Sequence, residues 1–363
     1  MRRFNIAYTV GSIALAAFSL QSCVSRTENL DNLNVITKPY SLYFADTLGL
    51  VYTTYNGERF DVLNSTQGVS VDALGTTGEF ILMKMVNGTI LFVDDGGQGN
   101  RHNFNPSYKN VNPAAFGPSV VLNLPKYNDT GAIKRDRVYV ASSINKGIAY
   151  SDNNANYDSS WFHPGDVELG SSVTSFAKLD NGTIVAFDDV SRGLWVKANL
   201  TSEWKSKPAT GIAAAATGQM YIISQKNDIL AVMINGAGTD YGIWRSTDGG
   251  NTFSKLPDIN PSDPVKDITC AAAPFGKVLI ACTRANGIWR LSGQGTWERA
   301  SVGLKNNIRV YAISAKSNKF KNDKTGEYVF IATSDGLYRS DDLGQTWVRL
   351  EVPGSAPVFT AMY

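Results

Sequence analysis

The stretch Gly242-Ile243-Trp244-Arg245-Ser246-Thr247-Asp248-Gly249-Gly250-Asn251-Thr252-Phe253 constrains the fold most, because it recurs. It returns as Gly336-Leu337-Tyr338-Arg339-Ser340-Asp341-Asp342-Leu343-Gly344-Gln345-Thr346-Trp347, and shortened as Gly287 to Trp297. Each copy reads as two short strands joined by a tight turn. The flanks supply aromatic and β-branched residues, and Ser-x-Asp-x-Gly supplies the residues that turns demand.

Self-similarity at a fixed interval is the mark of a repeat architecture. The glycine that opens the third strand of each unit recurs as Gly49, Gly99, Gly147, Gly193, Gly242, Gly287 and Gly336, with gaps of 50, 48, 46, 49, 45 and 49 residues. That is the period of a four-stranded propeller blade, so seven marks predict seven blades. Weaker copies keep the form: Leu50 to Phe60, Gly147 leading to Trp161, and Gly193 leading to Trp204. Met85 to Asp95 parallels Leu179 to Asp189, and in each the Asn-Gly pair, a strong hairpin signal, is read as joining strand one to strand two. The ends are complementary. Val358 to Tyr363 looks like a first strand with no blade after it, while Pro39 to Ala45 begins a unit that lacks its first strand. Pairing 358–363 with 40–46 would close the ring and remove exposed edges.

The recurring turn resembles the Asp-box, or BNR repeat, of sialidase-like propellers. Ser246, Asp248, Gly250, Thr252 and Phe253 match the full pattern, as do Ser340, Asp342, Gly344, Thr346 and Trp347. The resemblance implies an all-β, seven-bladed propeller of four-stranded antiparallel blades. It also implies that the Asp closes the turn onto backbone amides and that the aromatic packs between neighbouring sheets, a structural rather than catalytic role. Sialidase activity is disfavoured, because the Phe/Tyr-Arg-Ile-Pro segment carrying that family's first arginine is missing.

The first residues suggest an address. Arg2 and Arg3 precede a mostly apolar stretch from Ile6 to Leu20, too short for a membrane span, and Leu20-Gln21-Ser22-Cys23 resembles a bacterial lipobox. The expectation is a signal peptide at 1–22, a lipid on Cys23, a polar tether at 23–38 and the propeller at 39–363. Val24 and Ser25 offer no Asp that would retain a lipoprotein in the inner membrane, so outer-membrane sorting is expected, with the leaflet open. Losing residues 1–22 removes two arginines and no acids, leaving 32 basic and 32 acidic residues. Such a balance argues against nucleic acid as a partner. Cys270 and Cys282 fall in consecutive expected strands, where a cross-strand disulfide is conceivable, and are read first as small buried thiols. His102 and His163 lie in no ligand spacing, so neither a metal nor another cofactor is expected.

Chemistry in such a ring would sit in the loops between strands two and three and between blades. The candidate binding residues there are Asp94, Asp95, Arg101, Asp188, Asp189, Arg192, Tyr241 and Arg284. The paired Asp94-Asp95 and Asp188-Asp189 are the sharpest, since two carboxylates across a mouth could act as acid and base. Their recurrence at matching points of the repeat equally fits a turn-forming role. Three functional readings follow: a non-enzymatic module binding a protein or glycan, a glycoside hydrolase using these aspartates, and an assembly factor for a membrane complex.

Overall fold

The computed structural model describes residues 42–54, 57–65, 68–76, 80–85, 90–94, 102–104, 121–127, 133–141, 148–151, 161–162, 173–199, 201–212, 219–234, 241–291, 293, 295–317, 327–355 and 358–362. Cys23, Asp95, Gly99, Arg101 and Gly147 lie outside them.

Runs of Val, Ile, Leu and aromatic residues, cut by Gly, Asn and Asp, give strands joined by short turns. The first three are β1 (Leu42–Asp46), β2 (Leu50–Thr54) and β3 (Phe60–Ser65). Next come β4 (Val71–Thr76), β5 (Phe80–Met85), β6 (Ile90–Asp94) and β7 (His102–Phe104), then β8 (Val121–Tyr127), β9 (Ile133–Ala141), β10 (Ile148–Ser151) and β11 (Trp161–Phe162). They are followed by β12 (Val173–Lys178), β13 (Ile184–Asp188), β14 (Gly193–Lys197) and β15 (Lys205–Pro208), and by β16 (Gln219–Gln225), β17 (Asp228–Ile234), β18 (Ile243–Ser246) and β19 (Ser254–Lys255). The last are β20 (Ile268–Ala272), β21 (Leu279–Thr283), β22 (Ile288–Leu291) and β23 (Trp297–Arg299), then β24 (Val310–Ser317), β25 (Glu327–Thr333), β26 (Gly336–Ser340) and β27 (Val348–Leu350), and finally β28 (Phe359–Met362). Each run of four from β4 to β27 is one antiparallel sheet in sequence order, and β28 joins β1, β2 and β3 in a sheet of the same form. Phe44 lies opposite Met362 and Ala45 opposite Ala361 in that pairing.

One expectation is corrected. Asn87-Gly88 connects β5 to β6, which are the second and third strands of their sheet, and Val71–Thr76 supplies the first. Gly99 therefore precedes the fourth strand, β7, rather than the third. An Asn-Gly hairpin reports a tight turn between two strands and carries no information on where in a sheet that hairpin sits.

Among the strands whose burial is described, exposure rises toward the fourth strand of a sheet. The second strands β13 and β21 are buried at every position, whereas the fourth strands β15, β19, β23 and β27 have no buried residue. Lysine, arginine and glutamate on those outer strands keep exposed edges from pairing with other chains. The core lies between consecutive sheets. Phe187 and Leu194 of one sheet pack with Met220 and Trp244 of the next, Leu230 with Leu279, Ile280 with Ile331 and Trp347, Phe330 with Phe44 and Phe359, and Ala45 with Leu74 and Met83. Cys270 and Cys282 sit directly opposite each other on β20 and β21 as buried, free thiols.

The two full turn motifs are nearly superimposable in their bonding. Asp248 Oδ1 accepts from the amides of Asn251 and Thr252, each at 3.0 Å, and from the Ser246 hydroxyl at 2.8 Å. The Thr252 hydroxyl donates to Oδ2 at 2.6 Å, and the Gly250 amide donates to Ser246 Oγ at 2.8 Å. Asp342 takes the same partners from Gln345, Thr346 and Ser340. Asn199 fills this place in an earlier sheet, accepting from the amides of Thr201 and Ser202. The aromatic that ends each motif is driven into the previous sheet. Phe253 is buried, and its amide donates to Thr210 O; the buried Trp347 does the same to Val302 O, while its indole donates to Ala300 O at 2.9 Å. The Trp297 indole makes the matching bond to Pro257 O at 2.8 Å.

These contacts leave no room beside Gly303. It has φ of 89°, and a Cβ there would collide with the Trp347 carbonyl oxygen; Gly182, with φ of 88°, has open space around the same position. Gly182→Ala should cost about 1–2 kcal/mol, the price of the left-handed backbone alone. Gly303→Ala should cost roughly 1–3 kcal/mol more, from the added collision, in urea unfolding of the two variants side by side.

The Asp turns also set an acid limit. Bonds from the Thr252 hydroxyl and amide, then from Ser246 and Asn251, hold the Asp248 carboxyl far below the usual carboxylate range. At Asp342 burial pushes upward, but the Thr346 hydroxyl and amide, with Ser340 and Gln345, outweigh it and the net shift is down. A depressed folded pKa gives stability that is present above the unfolded value, about 3.9, and is lost as pH falls from there through the folded value. Urea midpoints of the wild type should therefore drop below about pH 4, and a D248N/D342N variant should start lower and fall less steeply over the same range.

Candidate functional site

The second strand of most sheets ends on a small polar residue that closes the following loop on itself. Asp46 is fully buried; its Oδ1 accepts the amides of Leu48 (2.9 Å) and Leu50 (3.0 Å), and its Oδ2 accepts the Tyr52 hydroxyl (3.2 Å). Asp188 holds the same position in β13, accepting the Val190 amide (3.1 Å) and the Ser191 hydroxyl (2.8 Å). Thr283 and Thr333 replace the carboxylate with a hydroxyl that donates to Gly287 O and Gly336 O. An acceptor already occupied by its own turn is poorly placed to take a proton from a substrate.

Asp189 faces a different way. Its Oδ1 lies 2.5 Å from Arg192 Nη1 and accepts the Met220 amide, at 3.1 Å, from the first strand of the next sheet. Arg192 is 8% exposed and holds φ of 53°, so its backbone is bent to deliver the guanidinium to that carboxylate. Burial pushes the Asp189 carboxyl above its usual range, against the opposing pull of Arg192 and the Met220 amide. The structure thus gathers Asp188, Asp189 and Arg192 into one cluster, with each carboxylate bonded locally. Asp94 is a correction: it ends β6, the third strand of its sheet, opposite Phe80 in backbone register. It does not follow a second strand and does not match Asp188, because the Asn-Gly turn that aligned the two stretches joins different strands in the two sheets.

Tyr241 and Arg284 belong to a second group, on adjacent sheets. The Tyr241 ring has Lys255 Nζ at 4.2 Å and Lys266 Nζ at 5.1 Å from its centroid, and its hydroxyl donates to Asp258 Oδ2 at 3.2 Å. Lys255 pairs with Asp258 at 2.7 Å. The Arg284 amide donates to Asp267 O, and the Asp267 carboxylate accepts from the Ala285 amide and the Asn286 side chain. Asp258, Lys266 and Asp267 were not among the candidates read from the sequence, where the one signal near them is the Asp263-Pro264 turn.

No protein-family model and no curated protein matches the chain. Solved structures do. YCF48 bound to D1 peptide aligns over 83% of this chain and 89% of its own, with a TM-score of 0.52 and 12% identity. YCF48 from Cyanidioschyzon merolae aligns over 83% and 91%, with a TM-score of 0.53 and 14% identity. An ancestral GH74 enzyme aligns over 85% of this chain and 40% of its own, with a TM-score of 0.54 and 14% identity. The fold is that of β-propellers. At these identities the likeness is one of fold, and it matches the repeated four-stranded sheets and the inter-sheet core described above.

Removing Asp189 should leave a buried guanidinium short of its acid partner. Asp189→Ala is expected to cost roughly 2–3 kcal/mol in chemical denaturation, with Asp189→Asn intermediate because it keeps an acceptor for the Met220 amide.

Proposed function

We propose that this protein is a lipid-anchored, seven-bladed propeller of the Asp-box type that binds a peptide or protein at the face carrying the loops after its second strands. Support for a closed ring comes from β28, which pairs with β1 and also lies against β24 and β4, so the last and second sheets both meet the strand that completes the first. Matching hydroxyl bonds reinforce this. Thr174 donates to Met220 O of the next sheet at 2.8 Å, and Thr360 of β28 donates to Val71 O at the same distance. Support for the anchor comes from the Leu20-Gln21-Ser22-Cys23 sequence, with outer-membrane sorting as its expected destination.

The observation that carries the binding reading is the fate of the carboxylates. Asp46 and Asp188 close their own turns and Asp189 braces Arg192, so the residues best suited to acid and base catalysis act as fasteners. YCF48, a propeller of the same fold, has been solved with a peptide bound. The second reading, hydrolysis of a glycan, draws on the GH74 likeness. Presenting the mature protein to a displayed peptide library should enrich a peptide motif, and D188N/D189N should retain that binding once its lower stability is allowed for. Selection of no motif, together with turnover of a polysaccharide that D188N/D189N abolishes, would replace the binding module by the hydrolase. Cys23→Ser should move the protein from the membrane fraction to the soluble envelope fraction; unchanged partitioning would refute the lipid anchor.

A further inference from the structure

The first strands of several sheets carry a bulge at the same place. Asp72, Thr174, Thr269, Tyr311 and Thr360 are each the second residue of their strand and each falls between two registered pairs. Such a bulge re-aims one side chain out of the ladder. At Thr174 and Thr360 the re-aimed hydroxyl bonds the next sheet. At β24 the occupant is Tyr311, which has no short hydroxyl to give, and its ring instead lies under the Arg309 guanidinium at 4.7 Å.

We propose that Arg309, stacked on Tyr311 at this bulge, recognises a carboxylate carried by a bound peptide, an inference that rests on the peptide-binding reading above. Arg309 is anchored at its base, since its amide donates to Ser334 Oγ at 3.1 Å and its carbonyl accepts the Ser334 amide at 2.9 Å. Its Nε is buried and has no hydrogen-bond partner among the described residues. A buried cationic donor without an acceptor is costly, and an incoming anion would relieve that cost. The neighbouring acid, Asp335, is committed elsewhere: it is ion-paired to Lys305, accepts the Tyr338 hydroxyl at 2.7 Å and lies 3.5 Å from Arg349. Stacking uses the face of a guanidinium and not its in-plane donors, and a pair of such donors matches the two oxygens of a carboxylate.

The test uses mature protein labelled with 15N-arginine, with the Nε–H resonance of Arg309 assigned by its disappearance in Arg309→Gln. The probes are N-acetylglycine for a free chain end, N-acetyl-aspartyl amide for an acidic side chain, and N-acetylglycinamide as the neutral control. The Arg309 resonance should shift saturably with at least one acid and not with the amide, and whichever acid binds more tightly identifies the source of the carboxylate. Peptides selected on the wild type should bind Arg309→Gln at least tenfold more weakly, and Arg309→Lys, which keeps the charge but loses the planar fork, should fall between. The proposal is overturned if the Arg309 resonance ignores both acids or answers the amide equally. It is also overturned if a folded Arg309→Gln binds the selected peptides like the wild type, in which case the peptide-binding reading survives alone. A carboxylate response with no selectable peptide leaves the anion site standing and removes the peptide reading.

Discussion

A carboxylate bonded by its own turn is the interaction on which the rest of this structure depends. With both oxygens of Asp248 and Asp342 engaged, the short loop has one conformation, and Phe253 and Trp347 leave it in one direction. That direction is into the previous sheet. An isolated four-stranded sheet of this size could not bury its faces, so each becomes stable only against its neighbour. The turn thereby converts a local preference of Ser, Asp and Gly into an instruction about how sheets stack.

The same economy explains the loops that looked functional. Asp46, Asp188, Thr283 and Thr333 all end second strands, where a chain reversing direction must satisfy two or three amides away from water. A carboxylate or a hydroxyl does this equally well, which accounts for both residue types at one position. Asp189 differs because it reaches across a boundary to the Met220 amide, and its strength as a strut comes from the low exposure of Arg192. Polar residues therefore do two jobs in this molecule, ending strands within a sheet and bolting one sheet to the next.

How much of this could be read from the sequence depended on the range of the interaction. The Ser246 and Ser340 turns are encoded within eight consecutive residues, so their pattern and the meaning of their aromatics were visible directly. The pairing of the chain's two ends was legible from a surplus strand at one terminus and a missing one at the other. The offset in the second sheet was not, since the same Asn-Gly pair falls between second and third strands at Asn87-Gly88 and between first and second at Asn181-Gly182. Asp188 and Asp189 were recognisable as candidates, but their match to Asp94 and Asp95 came from the same offset, and which of them closed a turn and which held Arg192 depended on the next sheet. Gly303, the bulge at Tyr311 and the lone Nε of Arg309 were illegible for the same reason: each is defined by a neighbour far away in the chain.

The pairing of β28 with β1 also bears on how the molecule is made. The ribosome delivers a polypeptide from its N-terminus, so β1, β2 and β3 emerge early and must wait for β28 before Phe359 and Met362 can pack on Phe44. Until then β1 has an unsatisfied edge, and the first sheet to appear is the last to be finished. Closing so distant a contact carries a large loop entropy, which places this step late and makes it slow. A chain that stopped before β28 would keep that edge of β1 open, leaving backbone donors and acceptors that another strand could pair with.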